Sequence, residues 1–251
     1  MSTYLVTGAA SGLGAAVTAR LRARGDRVVT VDLRDADVIG DLATASGREA
    51  ALATALDRAG DLQGVVPCAG LGPQVRDHML IASVNYFGAL AFIDGCFDAL
   101  AVGGAVVAIS SNSTTIDPTV NADLVAAFLA GDEASARGIA GDLPGNSVYA
   151  SSKVAIARAV RRRVTEWGAR GVRINAVAPG PFQSPLLQQG IDDPVFGPLI
   201  DSLPIPTGAI GTPNEVAAVI EFLLSPAASY VHGSIFFVDG GIDALLGPDR
   251  I

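Results

Sequence analysis

The chain has 251 residues, half of them apolar, which is enough to bury the core of one domain. Its formal net charge is −8, and its one dense basic run, Arg161–Arg163, lies on a predicted helix, so the charge argues against nucleic-acid binding. No apolar stretch approaches the ~20 residues that span a bilayer, and the first apolar run opens directly into glycines, unlike a signal peptide. We therefore expect a cytoplasmic protein without nucleic-acid or membrane partners.

Short β-branched runs alternate with longer helical patterns along the chain. In chain order the short runs predict strands over Tyr4–Thr7, Arg27–Asp32, Gly64–Pro67, Gly104–Ser110, Val172–Val177 and Ser234–Val238. The patterns between them predict helices over Ser11–Arg24, Gly47–Ala59, Leu80–Leu100, Val148–Gly168 and Asn214–Leu224. Two segments interrupt the alternation, Asn112–Asn146 and Gly180–Thr212.

The predicted strands are continuous apolar runs, such as VVTV, AVVAI and IFFV. Runs of this kind are typical of a parallel sheet that is covered on both faces. Together with the strand–helix alternation, they predict an α/β fold of the Rossmann type, with a doubly wound parallel sheet and helices on both faces. The chain has no repeat or linker, so we expect a single domain over residues 1–251.

A glycine-rich turn, Thr7–Gly14, follows the first predicted strand and opens the first helix. In such a turn Gly8 permits the bend, Gly12 lets the backbone approach a pyrophosphate, and Gly14 allows close packing of helix and strand. Asp32 ends the second predicted strand, where a carboxylate accepts hydrogen bonds from ribose hydroxyls and repels a 2′-phosphate. The pattern therefore predicts a dinucleotide site that prefers NAD to NADP.

Lys153 is the only lysine in the chain, against sixteen arginines, and it follows Tyr149 by four residues on a predicted helix. Side chains at this spacing share a helix face. A phenol has an ordinary pKa near 10, and a neighbouring ammonium lowers it toward the range needed for acid/base work. This pair therefore predicts proton transfer by Tyr149.

These residues belong to a series of motifs that resembles the short-chain dehydrogenase/reductase family. The motifs are TGAASGLG at Thr7–Gly14, CAG at Cys68–Gly70, NYFG at Asn85–Gly88, ISS at Ile109–Ser111, YASSK at Tyr149–Lys153, PG at Pro179–Gly180 and DGG at Asp239–Gly241. Within the family, four segments are similar to the bacterial 3α-hydroxysteroid dehydrogenase/carbonyl reductase subgroup: Cys68–Gln74, Ser83–Ala89, Ser225–Gly233 and Asp239–Ala244.

The resemblance implies an NAD(H)-dependent oxidoreductase that interconverts a secondary alcohol and a ketone, on a 3α-hydroxysteroid or a similar apolar carbonyl compound. One alternative is a dehydrogenase of another cyclic or aromatic alcohol from catabolism. The other is a non-catalytic dinucleotide-binding protein, which would be expected to lack part of the serine, tyrosine, lysine and asparagine set.

The catalytic roles that the resemblance implies fall on four residues. Tyr149 would be the general acid/base, and Ser111 would orient the substrate oxygen. Lys153 would bind the nicotinamide ribose and lower the pKa of Tyr149, and Asn85 would hold a water that links Lys153 to solvent. Ser110 and Ser113 are the alternatives to Ser111, and we choose Ser111 because it ends the strand run Val106–Ser110 in the family's register.

The resemblance also implies a cofactor site, which is a larger set of residues near the ends of the predicted strands. Its members are Gly8, Ser11, Gly12, Leu13, Gly14, Asp32, Leu33, Asp41, Leu42, Cys68, Ala69, Gly70, Tyr149, Lys153, Pro179, Gly180, Phe182 and Ser184. Cys68 and Cys96 have no metal-cluster spacing, and His78 and His232 are isolated, so we expect no metal site.

The two interrupting segments carry the remaining expectations. Residues 112–146 are read as an inserted helical segment, with short helices over Asn121–Ala130 and Asp132–Ala140. Residues 184–212 are rich in Pro, Leu and Ile and suit a mobile lid over an apolar substrate. Because the insertion would cover the helical surface on which many relatives form tetramers, we expect a homodimer built on Ser234–Val238, with a tetramer as the alternative.

Overall fold

The computed structural model describes residues 1–250, and its centre is one parallel sheet of seven strands. The strands are β1 (Thr3–Thr7), β2 (Arg27–Asp32), β3 (Val38–Ile39), β4 (Leu62–Pro67), β5 (Leu100–Ile109), β6 (Arg173–Pro179) and β7 (Ile235–Val238). Their spatial order is β3-β2-β1-β4-β5-β6-β7. The sheet therefore grows to one side of β1 with β2 and β3, and to the other side from β4 onward. The predicted Rossmann-type fold is confirmed.

Thirteen α-helices connect the strands of the described chain. They are α1 (Gly12–Ala23), α2 (Ala45–Ala59), α3 (His78–Ala82), α4 (Ala89–Gly95), α5 (Ser113–Ile116), α6 (Ala122–Ala130), α7 (Glu133–Gly141), α8 (Gly145–Arg162), α9 (Val164–Ala169), α10 (Pro185–Ile191), α11 (Gly197–Asp201), α12 (Pro213–Leu224) and α13 (Ile242–Leu246). A π-helical segment, Ser83–Gly88, joins α3 to α4.

The core has two layers because both faces of the sheet are covered. Along β1, Tyr4 and Val6 face α1 and α12, whereas Leu5 faces the layer of α2, α4 and α8. Successive side chains of a strand point to opposite faces, so a strand covered on both sides is apolar at every position. This packing explains the continuous apolar runs of the sequence.

Three features of the secondary structure differ from the sequence prediction: the end of one helix, a missed strand and a divided helix. The single helix over Leu80–Leu100 is wrong: α4 ends at Gly95, and Leu100, which is fully buried, begins β5 opposite Leu62. An apolar stretch of this length fits either a helix or a buried strand, so periodicity alone does not separate them. The strand β3 was missed because two residues carry no pattern, and the predicted helix Val148–Gly168 is divided at Arg163 into α8 and α9.

The segment before α8 is built from capped helices. Asn121 accepts a hydrogen bond from Leu124 N at the start of α6, and Gly131 ends that helix at a φ of 72°. Asp132 then caps α7 through Ser135 N. Glu133 in α7 forms an ion pair with the buried Arg48 of α2. The segment before α8 therefore also contacts α2.

Candidate active site

The carboxyl ends of β1, β2, β4, β5 and β6 open into one cleft of about 580 Å³. Parallel strands bring their carboxyl ends to one edge of a sheet, and ligands of such sheets bind where the strand order reverses. Every residue that the sequence analysis assigned to the cofactor lines this cleft, as do three of the four predicted catalytic residues, Ser111, Tyr149 and Lys153.

The glycine turn at the end of β1 leaves almost no room for side chains. A Cβ on Gly8, whose φ is 66°, would lie 2.6 Å from Ala69 N, and one on Gly14 would lie 2.2 Å from the Gly8 carbonyl oxygen. Within residues 1–250, no side chain caps the first N–H groups of α1, since Ser11 makes no capping hydrogen bond. The uncapped helix start, pressed against the loop after β4, fits an anionic pyrophosphate.

Asp32 closes the same end of the cleft. Its Oδ2 accepts a hydrogen bond from Ala10 N at 2.9 Å, and its Oδ1 accepts one from Leu33 N at 2.7 Å. The two bonds fix the carboxylate against the glycine turn, and each oxygen keeps a lone pair for a further donor. This arrangement fits a ribose diol.

Lys153 lies at the other end of the cleft, on α8, with only 6% of its surface exposed. Its Nζ donates to the Ile109 carbonyl oxygen at 3.1 Å and lies 5.5 Å from the centroid of the Tyr149 ring. Burial lowers the pKa of Lys153 to about 8, because the low-dielectric surroundings disfavour the ammonium. The lysine is therefore placed to exchange a proton near neutral pH.

Tyr149 is affected by two opposing influences. The pKa of its phenol is raised above the ordinary value, because burial outweighs the hydrogen bond with the Ser111 hydroxyl, which lowers that pKa. The Ser111 Oγ accepts a hydrogen bond from Ser113 N at 3.1 Å, which leaves its own proton free to point at the Tyr149 oxygen. A phenolate or a substrate oxygen at this position would accept that proton.

Ser110, the neighbour that could be confused with Ser111, has a structural contact. Its Oγ donates to the Lys153 carbonyl oxygen at 2.9 Å, and the side chain is buried between β5 and α8. The geometry thus places Ser111, and not Ser110, next to the phenol of Tyr149.

Asn85 stands in the π-helical segment, and its Oδ1 and Lys153 Nζ both lie within 4 Å of the Cβ position of Gly70. Its Oδ1 accepts from Leu71 N at 2.7 Å, and its Nδ2 donates to the Leu71 carbonyl oxygen at 3.0 Å. The side chain therefore anchors the loop that follows β4. A water relay at Asn85, as the resemblance implies, would need to use its main chain.

The remainder of the cleft is mostly apolar; the sequence predicted the segment 184–212 on this side, but not which of its residues line the cleft. It is lined from the segment 184–212 by Leu186, Leu187, Phe196, Leu199, Ile200 and Leu203. Polar residues that were not predicted, Gln74, Asn112, Ser113 and Asn146, also line it. Gln74 ends a segment whose resemblance to the subgroup the sequence had shown, Asn112 and Ser113 lie just beyond β5, and Asn146 lies in the first turn of α8.

Two negative findings complete the description. Across residues 1–250, no group of three or more His, Cys, Asp or Glu side chains could hold a metal ion. In the same described part of the chain, no helix is both long enough and apolar enough to cross a membrane.

Burial raises the pKa of both the Cys68 and the Cys96 thiols to about 12, so neither is a thiolate at neutral pH.

A parallel sheet in this order, with a glycine turn after the first strand and a carboxylate at the end of the second, defines a Rossmann-type dinucleotide-binding protein. The family model "short chain dehydrogenase" matches residues 2–123, and the model "Enoyl-(Acyl carrier protein) reductase" matches residues 134–243. The chain belongs to the short-chain dehydrogenase/reductase family and is an oxidoreductase. The predicted family is confirmed.

Individual relatives give the degree of similarity. The chain is 46% identical, over 256 aligned positions and the full length of both proteins, to the 3-alpha-hydroxysteroid dehydrogenase/carbonyl reductase of Comamonas testosteroni. It is 29% identical to the levodione reductase of Leifsonia aquatica, over 96% of this chain and 93% of that protein. The crystal structure of the 3-alpha-hydroxysteroid dehydrogenase from Pseudomonas sp. B-0831 complexed with NADH matches all of both chains, with a TM-score of 0.96 and 42% identity.

Proposed function

We propose that this protein is an NAD(H)-dependent dehydrogenase/reductase that interconverts a secondary alcohol and a ketone on an apolar ring scaffold, with a 3α-hydroxysteroid as the leading substrate class. The observation that carries the proposal is the meeting of Ser111, Tyr149 and Lys153 in the same cleft as the glycine turn. The steroid comes from the two relatives that are more than 40% identical over their full lengths.

The residues of the cleft divide the work between holding the cofactor and moving a proton. Gly8, Gly12 and the start of α1 would hold the pyrophosphate, and Asp32 the adenosine ribose. Lys153 would bind the hydroxyls of the nicotinamide ribose. When bound, NAD(H) supplies the hydride donor or acceptor.

Tyr149 would move the proton of the reacting oxygen. For reduction of a ketone, its neutral phenol gives a proton to the carbonyl oxygen, while Ser111 holds that oxygen by a hydrogen bond. For oxidation of an alcohol, its phenolate takes the hydroxyl proton. Lys153 favours the phenolate through its positive charge, and its own pKa of about 8 lets it return the proton toward solvent.

The segment 184–212 would close over the substrate as a lid. Its helices α10 and α11 present apolar side chains to the cleft, and Leu199 is 58% exposed. An apolar side chain that is exposed beside a catalytic cleft gains burial when an apolar ligand binds.

We also propose that the protein forms a homodimer through β7, the edge strand of the sheet. Phe237 in this strand is 38% exposed, and an unpaired strand edge with exposed apolar side chains is suited to association with a second copy. Light scattering in solution should give the mass of a dimer; a stable tetramer would contradict this assembly.

A cofactor-reduction screen tests the proposed activity. The purified protein is incubated with NAD and 3α-, 3β-, 7α- and 17β-hydroxysteroids, alongside simple alicyclic alcohols, and the best substrate is repeated with NADP. We expect the 3α-hydroxysteroids to give the highest kcat/KM, with NAD preferred to NADP. Turnover of the alicyclic alcohols alone would mean that the substrate is another cyclic alcohol and not a steroid. A preference for NADP would refute the role of Asp32.

A further inference from the structure

Unpaired polar atoms are concentrated in the active-site cleft. In residues 1–250, four buried side-chain atoms have no hydrogen-bond partner, and three of them belong to residues that line this cleft: Gln74 Oε1, Asn112 Nδ2 and Ser113 Oγ. Buried polar atoms without a partner are rare in native proteins, and each needs a reason. Their shared location indicates that a ligand completes them.

Gln74 is the most informative of the three, because its orientation is set by its neighbours. It lies on the loop after β4, and its Nε2 is 3.4 Å from both the Leu186 carbonyl oxygen and Gln189 Oε1 in α10. Both of these atoms are acceptors, so the amide nitrogen faces α10 and the amide oxygen is left over. A carboxamide oxygen accepts hydrogen bonds and donates none. The missing partner is therefore a donor.

The backbone beneath this side chain is shaped to hold it in place. A Cβ on Gly72 would lie 2.2 Å from Gln74 Oε1, so the amide folds back over its own loop into space that only a glycine leaves open. Pro73, the residue before Gln74, and Leu186 and Leu187 of α10 line the same cleft with apolar side chains. One buried acceptor in an apolar wall can recognise one donor on a largely apolar ligand.

We infer that Gln74 is a specificity-determining residue, whose Oε1 accepts a hydrogen bond from a hydroxyl that the substrate carries away from its reacting carbon. The reacting oxygen is already bound by Tyr149 and Ser111, so Gln74 recognises a second group. This inference rests on the proposed alcohol–ketone chemistry. It narrows the substrate to a ring compound with two oxygen functions, of which the second is a hydrogen-bond donor.

A panel of ketones tests this inference through NADH-dependent reduction. The panel contains 5α-androstan-3-one, which has no second polar group, derivatives with one hydroxyl on ring B, C or D, and derivatives with a ketone at the same positions. At least one hydroxylated compound should exceed the parent in kcat/KM by about 3- to 10-fold, which is the effect of one neutral hydrogen bond. The ketone at that position, which cannot donate, should show no such advantage.

Three variants separate recognition from a merely structural role. Gln74→Met should reduce the hydroxyl-to-parent ratio of kcat/KM to about 1, and Gly72→Ala should do the same by displacing the amide. Gln189→Met is the matched control: it removes one contact of Gln74 with α10 but leaves Oε1 in place, so the ratio should persist.

Each other outcome has a definite meaning. Equal kcat/KM values across the panel in the wild-type protein, or a ratio that survives Gln74→Met, would overturn the inference and leave the proposed function standing. A uniform loss on all ketones with an unchanged ratio would show that Gln74 only ties the loop to α10, and would overturn it too. Failure to reduce any ketone of the panel would contradict the proposed steroid chemistry and the inference together.

Discussion

The two ends of the active-site cleft are built in different ways. At the cofactor end, main-chain atoms form the walls, and Gly8 and Gly14 have no space for even a Cβ. At the substrate end, side chains from α10 and α11 form the walls, and one of them, Leu199, is 58% exposed. Walls made of main-chain atoms suit the cofactor, which is the same in every reaction. Walls made of side chains can be altered by substitution without disturbing the sheet. We therefore expect small changes to be severe at the first end and mild at the second.

The largest effect on cofactor binding is expected at the glycine turn. In Gly14→Ala, the new Cβ would lie 2.2 Å from the Gly8 carbonyl oxygen, so the turn and α1 must separate. A backbone strain of about 3 kcal/mol would weaken NADH binding by about 100-fold, measured by fluorescence titration.

A matched control is available in α7. Gly138 has open space around its Cβ position, so Gly138→Ala should leave NADH binding unchanged and stabilise the helix by about 0.5–1 kcal/mol. Unchanged NADH affinity in Gly14→Ala would show that the backbone does not define this end of the cleft.

Where the two ends of the cleft meet, we expect a smaller effect on NADH binding and a clear effect on the chemical step. Ser111→Ala should lower kcat by about 100-fold, because the reacting oxygen loses a positioned donor. The Ser111 hydrogen bond lowers the pKa of Tyr149, so its loss raises that pKa. Alcohol oxidation needs the phenolate and increases with pH, so the rising limb of its pH profile should move to higher pH.

Ser110→Ala provides the comparison, since this serine contacts the Lys153 carbonyl oxygen and not the phenol. It should cost about 1 kcal/mol of stability, measured by denaturant unfolding, and should leave the pH limb of oxidation in place. A limb that stays fixed in Ser111→Ala, or moves in Ser110→Ala, would exchange the roles of the two serines.

The smallest effect is expected at the substrate end. Leu199→Ala removes an apolar side chain that is 58% exposed, so protein stability should change little. The KM of an apolar ketone should rise by about 3- to 10-fold, as expected for the loss of one to two buried methylene groups, while NADH affinity stays the same. An unchanged KM would place the substrate away from α11.

The same contrast explains what the sequence could and could not predict. The glycine turn, Asp32 and the Tyr149–Lys153 pair are local patterns whose chemistry depends on a few adjacent positions, and the structure brings all of them to one cleft. Asn85 was named for its motif, yet its amide is bonded to Leu71, a contact fourteen residues away that spacing does not show.

Other features depend on contacts between distant segments. The amide of Gln74 acquires its orientation only from α10, more than a hundred residues later in the chain. The strand β3 exists only because Val38 and Ile39 pair with the end of β2. Predicting such features requires the packed fold, because neither residue type nor periodicity encodes which distant segment will be the neighbour.

The most direct test of the account follows the hydride and the tyrosine together. A ketone that the screen identifies is reduced with NADH carrying deuterium at both positions of C4 of the nicotinamide, and the alcohol is analysed by mass spectrometry. The wild-type protein should place one deuterium on the carbinol carbon, and Tyr149→Phe should slow this transfer by about 1000-fold while still binding NADH. An alcohol without deuterium, or near-native transfer by Tyr149→Phe, would contradict the central role of Tyr149 in hydride-coupled proton transfer.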